Sequence, residues 1–501
     1  MSIHHVSVIH REAMNGIYQQ VLERLLAHFT HAQRAALQLL VQRIGVAAGG
    51  LDRLSQFKVL VAHGGGSTSG QCLAMVRAAQ LSLAVRYPAT FLLRVATYRH
   101  SGMGAEVMAN IERGYGALSL HDDPRVELLV VDDQQVQPYD PLAPLSAATR
   151  LRNRTDFLVA GHLGGGQGRV GLCHVCYLGR ADFYQRAMAW NGGVHALVCG
   201  QPPGRRRRYL AWGLHAARQA GLGVAEAPQD KGEAALEVIA LVGEAFHRQL
   251  YGEKLVTRRL PRSRRKALVC RVDMHDLLAA APQEHWRLLV EFLGFRFSAL
   301  AMGFSETACA NPLLMAHLRG LGAEKLQQRS YGEGVAEYLA AARQLMLRKG
   351  SPGHLVDLML SAYDDPHKLQ ERRALAEEHG RAAYQVEDLQ LVCMLHAPFV
   401  DSGRHLATYL QRCHPRRVDS LATLHQVLQG TRNDERLGRW LADTSGLPIV
   451  ALRRLYGQRS ACGPGPQTLI ARLRASDPDG ARVPTLDPVT GTTSLERVCG
   501  R

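Results

Sequence analysis

The chain lacks any apolar run of about eighteen residues, the length a helix needs to cross a bilayer. Its first thirty residues carry His4, His5, His10 and Glu12 and no apolar core, so a secretory leader is not expected. Aromatics are scarce at 6%, and none interleave with the arginines of 255–266, which argues against a base-stacking platform there. The ten cysteines are scattered, and Cys173 and Cys176 form the one C-x-x-C. Without a second pair at ligand spacing, zinc-ribbon and disulfide-scaffold classes fall away, and reduced thiols in a cytoplasmic setting are expected. Acidic residues are also short: 44 Asp+Glu stand against 60 Lys+Arg, a net +16. That excess suits a polyanionic neighbour (nucleic acid, anionic lipid or phosphorylated substrate) and equally a well-solvated arginine-rich surface.

At 501 residues the chain is long for one core, so two α/β domains with appendages are expected. Residues 11–48 read as two helices that cap the fold or lie on a membrane or partner. The first domain, 56–254, opens on the strand Lys58–Ala62, the loop His63-Gly64-Gly65-Gly66-Ser67 and a helix to Val85. Strands at 90–97 and 126–131 extend the first half of a doubly wound sheet, whose ligands sit beyond the strands' carboxyl ends. Asp132-Asp133 either orients a hydroxyl as base or simply ends its strand. Gly166, Gly168 and Gly171 form G-x-G-x-x-G, but the following L-C-H-V-C-Y-L reads as a strand where a dinucleotide fingerprint needs a helix. A strand at 194–199 leads to Arg205–Arg208, an exposed basic face or a contact for phosphate and lipid headgroups.

Residues 255–266, with Arg262, Arg264 and Arg265, read as a basic interdomain linker. A second Rossmann-like domain is expected over 267–400, with strands at 267–272 and 297–302. At its end, a helix (335–344), an apolar strand Leu345–Leu347, a turn Lys349–Gly353 and a helix from His354 follow one another. Strand, glycine turn and helix present free N–H groups and a positive dipole end to a phosphate. Lys349 adds charge, and Asp357 lies one turn on, within reach of ribose hydroxyls. The same pattern suits an ordinary turn capped by Ser351. Helices continue over 401–458; within them Gly430–Gly457 reads as a packing hairpin or a helix-turn-helix. The tail from 459 is rich in turn formers and reads as irregular.

The segment K-G-S-P-G-H-L-V-D-L (349–358) resembles the donor-binding segment of GT-B glycosyltransferases of the MurG and monogalactosyldiacylglycerol synthase type, which commonly reads K-A-G-P-G-T-I-A-E-A. The resemblance implies two Rossmann-like domains, no metal, and a nucleotide sugar as co-substrate. It places Ser351, Gly353 and His354 on the donor diphosphate, Lys349 on its charge and Asp357, where the family has Glu, on the ribose. Gly303 to Ser305 would face the donor. It implies an acceptor-side loop at Gly64, Gly65, Gly66 and Ser67, with His63 or Asp132 as base; in the family the histidine follows the glycines, whereas His63 precedes them. The activity expected is transfer of a sugar to a hydroxyl acceptor, including a lipid-linked one, at the cytoplasmic face of an anionic membrane met through Arg205, Arg206, Arg262, Arg264 and Arg265. Two rivals stand beside it. His63–Gly66 and Gly161–Gly165 resemble the oxyanion loop and nucleophile elbow of α/β-hydrolases, without the elbow serine. The arginine runs alone fit a nucleic-acid-binding or interaction protein, which predicts steeply salt-dependent binding.

Overall fold

The computed structural model describes residues 3–251 apart from 88, 101–102, 104, 133–134, 165–172 and 223–231. It further describes 269–278, 287–296, 311–348, 353–460, 469, 472–473, 480–486 and 493–499. Two helices lead, α1 (Ile3–Ala27) and α2 (His31–Ala48). Then come β1 (Lys58–Ala62), α3 (Ser67–Arg86), β2 (Leu92–Arg99), α4 (Ala105–Ala117), β3 (Val126–Asp132) and β4 (Gln135–Pro138). Next are α5 (Ala147–Leu163), α6 (Cys173–Ala189), β5 (Ala196–Cys199), α7 (Pro203–Gln219), α8 (Gly232–Tyr251) and β6 (Cys270–Asp273).

These strands form a six-stranded sheet in the order β4-β3-β2-β1-β5-β6. Every pairing is parallel except β3 with β4. Val59 stands opposite Leu93 on one side and Ala196 on the other, so the chain steps outward from β1 in one direction and then returns to its other flank. A Rossmann-like sheet of this kind reverses its strand order between β1 and β5.

Alternation along the strands divides the core. Val59, Val61, Leu93 and Val95 pack with Leu25, Leu40, Ile44, Leu73, Val76 and Ile111 from α1 to α4. On the opposite face, Leu60, Ala96, Leu129 and Val131 meet Phe183, Ala187 and Met188 of α6. A capping box at Thr30 and Gln33 starts α2, and Gly49 in the left-handed region ends it.

Beyond the sheet the chain turns helical: α9 (Pro312–Leu321), α10 (Tyr331–Arg348), α11 (Gly353–Ser361), α12 (Pro366–His379) and α13 (Asp388–His396). They are followed by α14 (Leu406–Cys413), α15 (Leu421–Gln429), α16 (Glu435–Ser445) and α17 (Ile449–Tyr456). This body shares one apolar core with α5 and α8, through residues such as Phe157, Phe246, Leu318, Met394 and Leu441. No helix among the described residues is long and apolar enough to cross a membrane.

Several expectations need correction. Leu345–Leu347 is not a strand but the end of α10. Val335, Tyr338, Ala342 and Met346 are buried at helical spacing, while Leu347 is exposed, so a period near 3.6 governs the segment. Cys173–Leu178, also read as a strand, opens α6. β6, expected to begin a second sheet, pairs with β5 and completes the first. Among the described residues 311–460 hold helices and no strand. The tail, read as irregular, contains an antiparallel pair, β7 (Gly480–Leu486) and β8 (Thr493–Cys499). Strand 297–302, Gly303–Ser305 and the linker 255–266 lie outside the described residues.

Candidate functional site

The strand order reverses between β1 and β5, and in sheets of this kind ligands bind in the crevice beyond the carboxyl ends of the strands at that point. The loop after β1 is built to leave backbone N–H groups free. After β1 the chain runs through His63 and three glycines into α3. Gly66 caps that helix with no side-chain hydrogen bond to its first turn. Ser69 Oγ donates to Gly66 O at 2.9 Å, so its hydroxyl is turned onto a carbonyl. Gly64, Gly66, Ser67 and Thr68 are exposed. Gly65 is buried with φ +70°, and a Cβ there would lie 2.8 Å from Val107 Cγ1 and 3.1 Å from Val107 O. Glycine is therefore required where α4 presses on the loop.

After β5 the loop Gly200–Pro202 leads into α7, which begins with Pro203 and is likewise uncapped by any side chain. Gly200 packs so closely on α3 that a Cβ would fall 2.3 Å from Cys72 Sγ. Burial pushes the Cys72 thiol up to about 12, so it packs as an apolar group, with Met274 Sδ 3.3 Å away. Two helix N-termini, each with a positive dipole end, thus flank the switch point.

His63 lies behind the loop, 4% exposed, with Nδ1 unpartnered. Its backbone N–H donates to Ala96 O at 2.9 Å, and its carbonyl accepts Thr97 Oγ1 at 3.0 Å. The ring tilts against Tyr115 at 5.4 Å. Burial pushes the imidazole down to about 4, leaving it neutral near pH 7. Asp132, the other candidate base, is held two strands away. Arg99 Nε donates to its Oδ1 at 2.7 Å, Arg99 Nη2 donates to Oδ2, and Gln137 Nε2 adds a bond at 3.1 Å. Asp132 is 1% exposed; its oxygens hold β2, β3 and β4 together and are not offered to a substrate. An arginine at the end of the neighbouring strand was the signal available for this pairing.

The expected donor residues lie apart from this crevice, in the helical body. Gly353, His354 and Asp357 are exposed along α11; Lys349 and Ser351 lie outside the described residues. Of the basic residues expected at a membrane, Arg206 is half-buried and donates to Asp273 Oδ1 at 2.8 Å, and Arg205 also has a partner. Arg207 and Arg208 are exposed; Arg262, Arg264 and Arg265 lie outside the described residues. The G-H-L-G-G segment does not form a nucleophile elbow: Gly161, His162 and Leu163 belong to α5. Gly166, Gly168 and Gly171 of the G-x-G-x-x-G lie outside the described residues.

Two further polar features lie in the helical body. His317, Glu377 and Asp388 place ligand-type atoms within 4.8 Å of one another. There Arg373 already supplies positive charge, 3.4 Å from Glu377 and 3.9 Å from Asp388. Burial raises the Asp388 carboxyl, but its hydrogen bond with His317 and the charges of His317 and Arg373 bring it net below its usual range. A groove of about 430 Å³ runs along Arg154, Glu387, Gln390, Asp443 and Pro448, remote from the crevice and polar. No family model matches the chain, and no curated protein or solved structure does.

Proposed function

We propose that this protein binds a phosphate-bearing ligand of the nucleoside diphosphate type in the β1/β5 crevice. The observation that carries this reading is the pair of N-termini, α3 and α7, neither capped by a side chain. The α3 end supplies most of the donors, through the N–H groups of Ser67, Thr68 and Ser69, and the exposed Gly64 and Gly66 let a phosphate approach them closely. α7, which starts Pro202-Pro203, adds its dipole end and the Gly204 N–H. The neutral His63 behind the loop adds no charge of its own.

Glycosyl transfer is the activity we attach to this ligand, on the strength of the likeness of residues 349–358 to a donor segment. In the finer, two-domain GT-B form of that reading, the diphosphate sits at the start of α11, and Asp357 takes the ribose. What supports that form is the exposure of Gly353, His354 and Asp357 on one short helix.

A thermal-shift series with UDP, GDP and inorganic diphosphate separates the two placements. Ser67→Glu puts an acid in the first turn of α3, which favours the helix and repels an anion. A shift of the wild type lost in Ser67→Glu and kept in Asp357→Ala supports the crevice. The reverse result moves the ligand to α11. No shift at ligand concentrations up to several millimolar overturns the proposal; a hundredfold excess over Kd stabilises by about 2.7 kcal/mol, which is readily seen.

A further inference from the structure

Leu421 to Tyr456 forms a three-helix unit that the crevice does not use. α16 and α17 are joined by Gly446-Leu447-Pro448, and α15 packs behind them. Gly446 takes φ +71°, and its N–H returns to Ala442 O at 2.8 Å. Ser445 Oγ donates to Leu441 O at 2.6 Å and accepts the Leu447 N–H at 3.2 Å, which fixes the turn. Leu437, Leu441, Leu447, Leu452 and Leu455 are buried against Leu424 and Val427. On α17 the buried Leu452, Leu455 and Tyr456 share one face; Val450, 54% exposed, and Arg454 lie on the other. Two short helices about a three-residue glycine turn form the arrangement whose second helix enters a DNA major groove.

The charge of this unit is one-sided. Residues 421–460 contain six arginines, no lysine and three acidic residues. One of the acids, Asp434, is spent as the cap of α16, accepting the Leu437 N–H at 3.0 Å. Arg432, Arg436 and Arg439 are exposed and make no ion pair among the described residues. Beside them Arg417 lies over the Trp440 ring at 5.3 Å. Glu435 is exposed among these arginines without an ion pair to any of them among the described residues, so the face keeps a net positive charge. Clustered arginines on one face of such a unit are the electrostatic footprint that a phosphate backbone meets.

We infer that α15 to α17 is a helix-turn-helix that docks on duplex DNA, with the Val450 and Arg454 face of α17 toward the major groove and Arg432, Arg436 and Arg439 on phosphates.

The test is fluorescence anisotropy of the full chain with a labelled 30-base-pair duplex at 50 and 200 mM KCl. For three phosphate contacts the affinity falls roughly fortyfold between these salts. Arg436→Glu with Arg439→Glu is expected to weaken binding more than tenfold at 50 mM and to flatten the salt slope by about two, with the thermal midpoint unchanged. Val450→Glu, on the exposed face of α17, is expected to weaken duplex binding as well. Absence of binding at 50 mM, or equal binding by wild type and both variants, overturns the inference. So does equally tight uptake of single-stranded DNA or phosphatidylserine vesicles with the same losses, which would reduce the unit to an unspecific polyanion surface.

Discussion

Arg99 grips Asp132 with two parallel donors at the ends of β2 and β3, and the pair is almost wholly buried. Arg99 also donates to Ala143 O at 2.6 Å, tying the loop before α5 to the same corner. Removing one partner strands the other's charge out of water. Asp132→Ala is therefore expected to destabilise the protein by about 3–5 kcal/mol, and Arg99→Ala by a similar amount. Denaturant midpoints check this. A loss of activity in Asp132→Asn without loss of stability would point instead to a role as base.

Gly65→Ala tests the crevice from the backbone side. The left-handed φ costs an alanine about 1–2 kcal/mol, and the new methyl meets Val107 at 2.8 Å. The expected result is a protein destabilised by about 2–3 kcal/mol whose stabilisation by nucleoside diphosphates is weakened or lost. Gly64→Ala, where a Cβ meets nothing within 4 Å, is expected to keep its stability and serves as the comparison.

Acid sensitivity follows from the buried histidines. Burial pushes His162 down to about 3 and His63 down to about 4. His162 is fully buried, and neither of its ring nitrogens has a hydrogen-bond partner. The unfolded chain takes up a proton at each near its ordinary value of 6.5, and the folded chain does not. Their contribution is thus fully present above about pH 6.5 and is lost as pH falls from there toward 4. Each histidine adds a slope of about 1.4 kcal/mol per pH unit in that window. His162→Leu is expected to reduce the loss of urea resistance between pH 7.5 and 5, and an unchanged pH profile would refute the assignment.

Arg373 holds the acidic cluster of the helical body together, reaching Glu324 at 3.1 Å as well as Glu377 and Asp388. Arg373→Ala leaves Glu377 and Asp388 facing one another beside His317 and takes from Glu324 one of its two cations. A destabilisation of about 1–3 kcal/mol is expected. Because His317, Glu377 and Asp388 have ligand-type spacing, millimolar zinc should restore part of the thermal midpoint in the variant and leave the wild type unchanged.

Much of the sheet was legible in the sequence, because β1, β2 and β3 are apolar runs bounded by turn formers and the glycine loop between β1 and α3 announces itself. The opening of α6 and Leu345–Leu347 were misread for a shared reason. A short apolar run is the same string whether a strand or a helix buries it, and only the spacing of buried residues over several turns separates the two. β6 was located, but its neighbour was not, since pairing order is set by the whole chain's packing. At the site, His63 and the glycines stood out by type, whereas the capture of Asp132 by Arg99 depends on two strands lying side by side in register.

The order of the strands has a consequence for biosynthesis. Val59 in the central strand finds its second neighbour, Ala196, only 137 residues later. At about 5–20 residues per second, one edge of β1 stays unpaired for roughly 7–30 seconds after it is made. The two helices made before it, α1 and α2, pack on the same face of the nascent sheet and so shelter its apolar side chains in the interval. Shortening α1 or α2 should therefore reduce the yield of folded chain during synthesis more steeply than it lowers the stability of the finished protein.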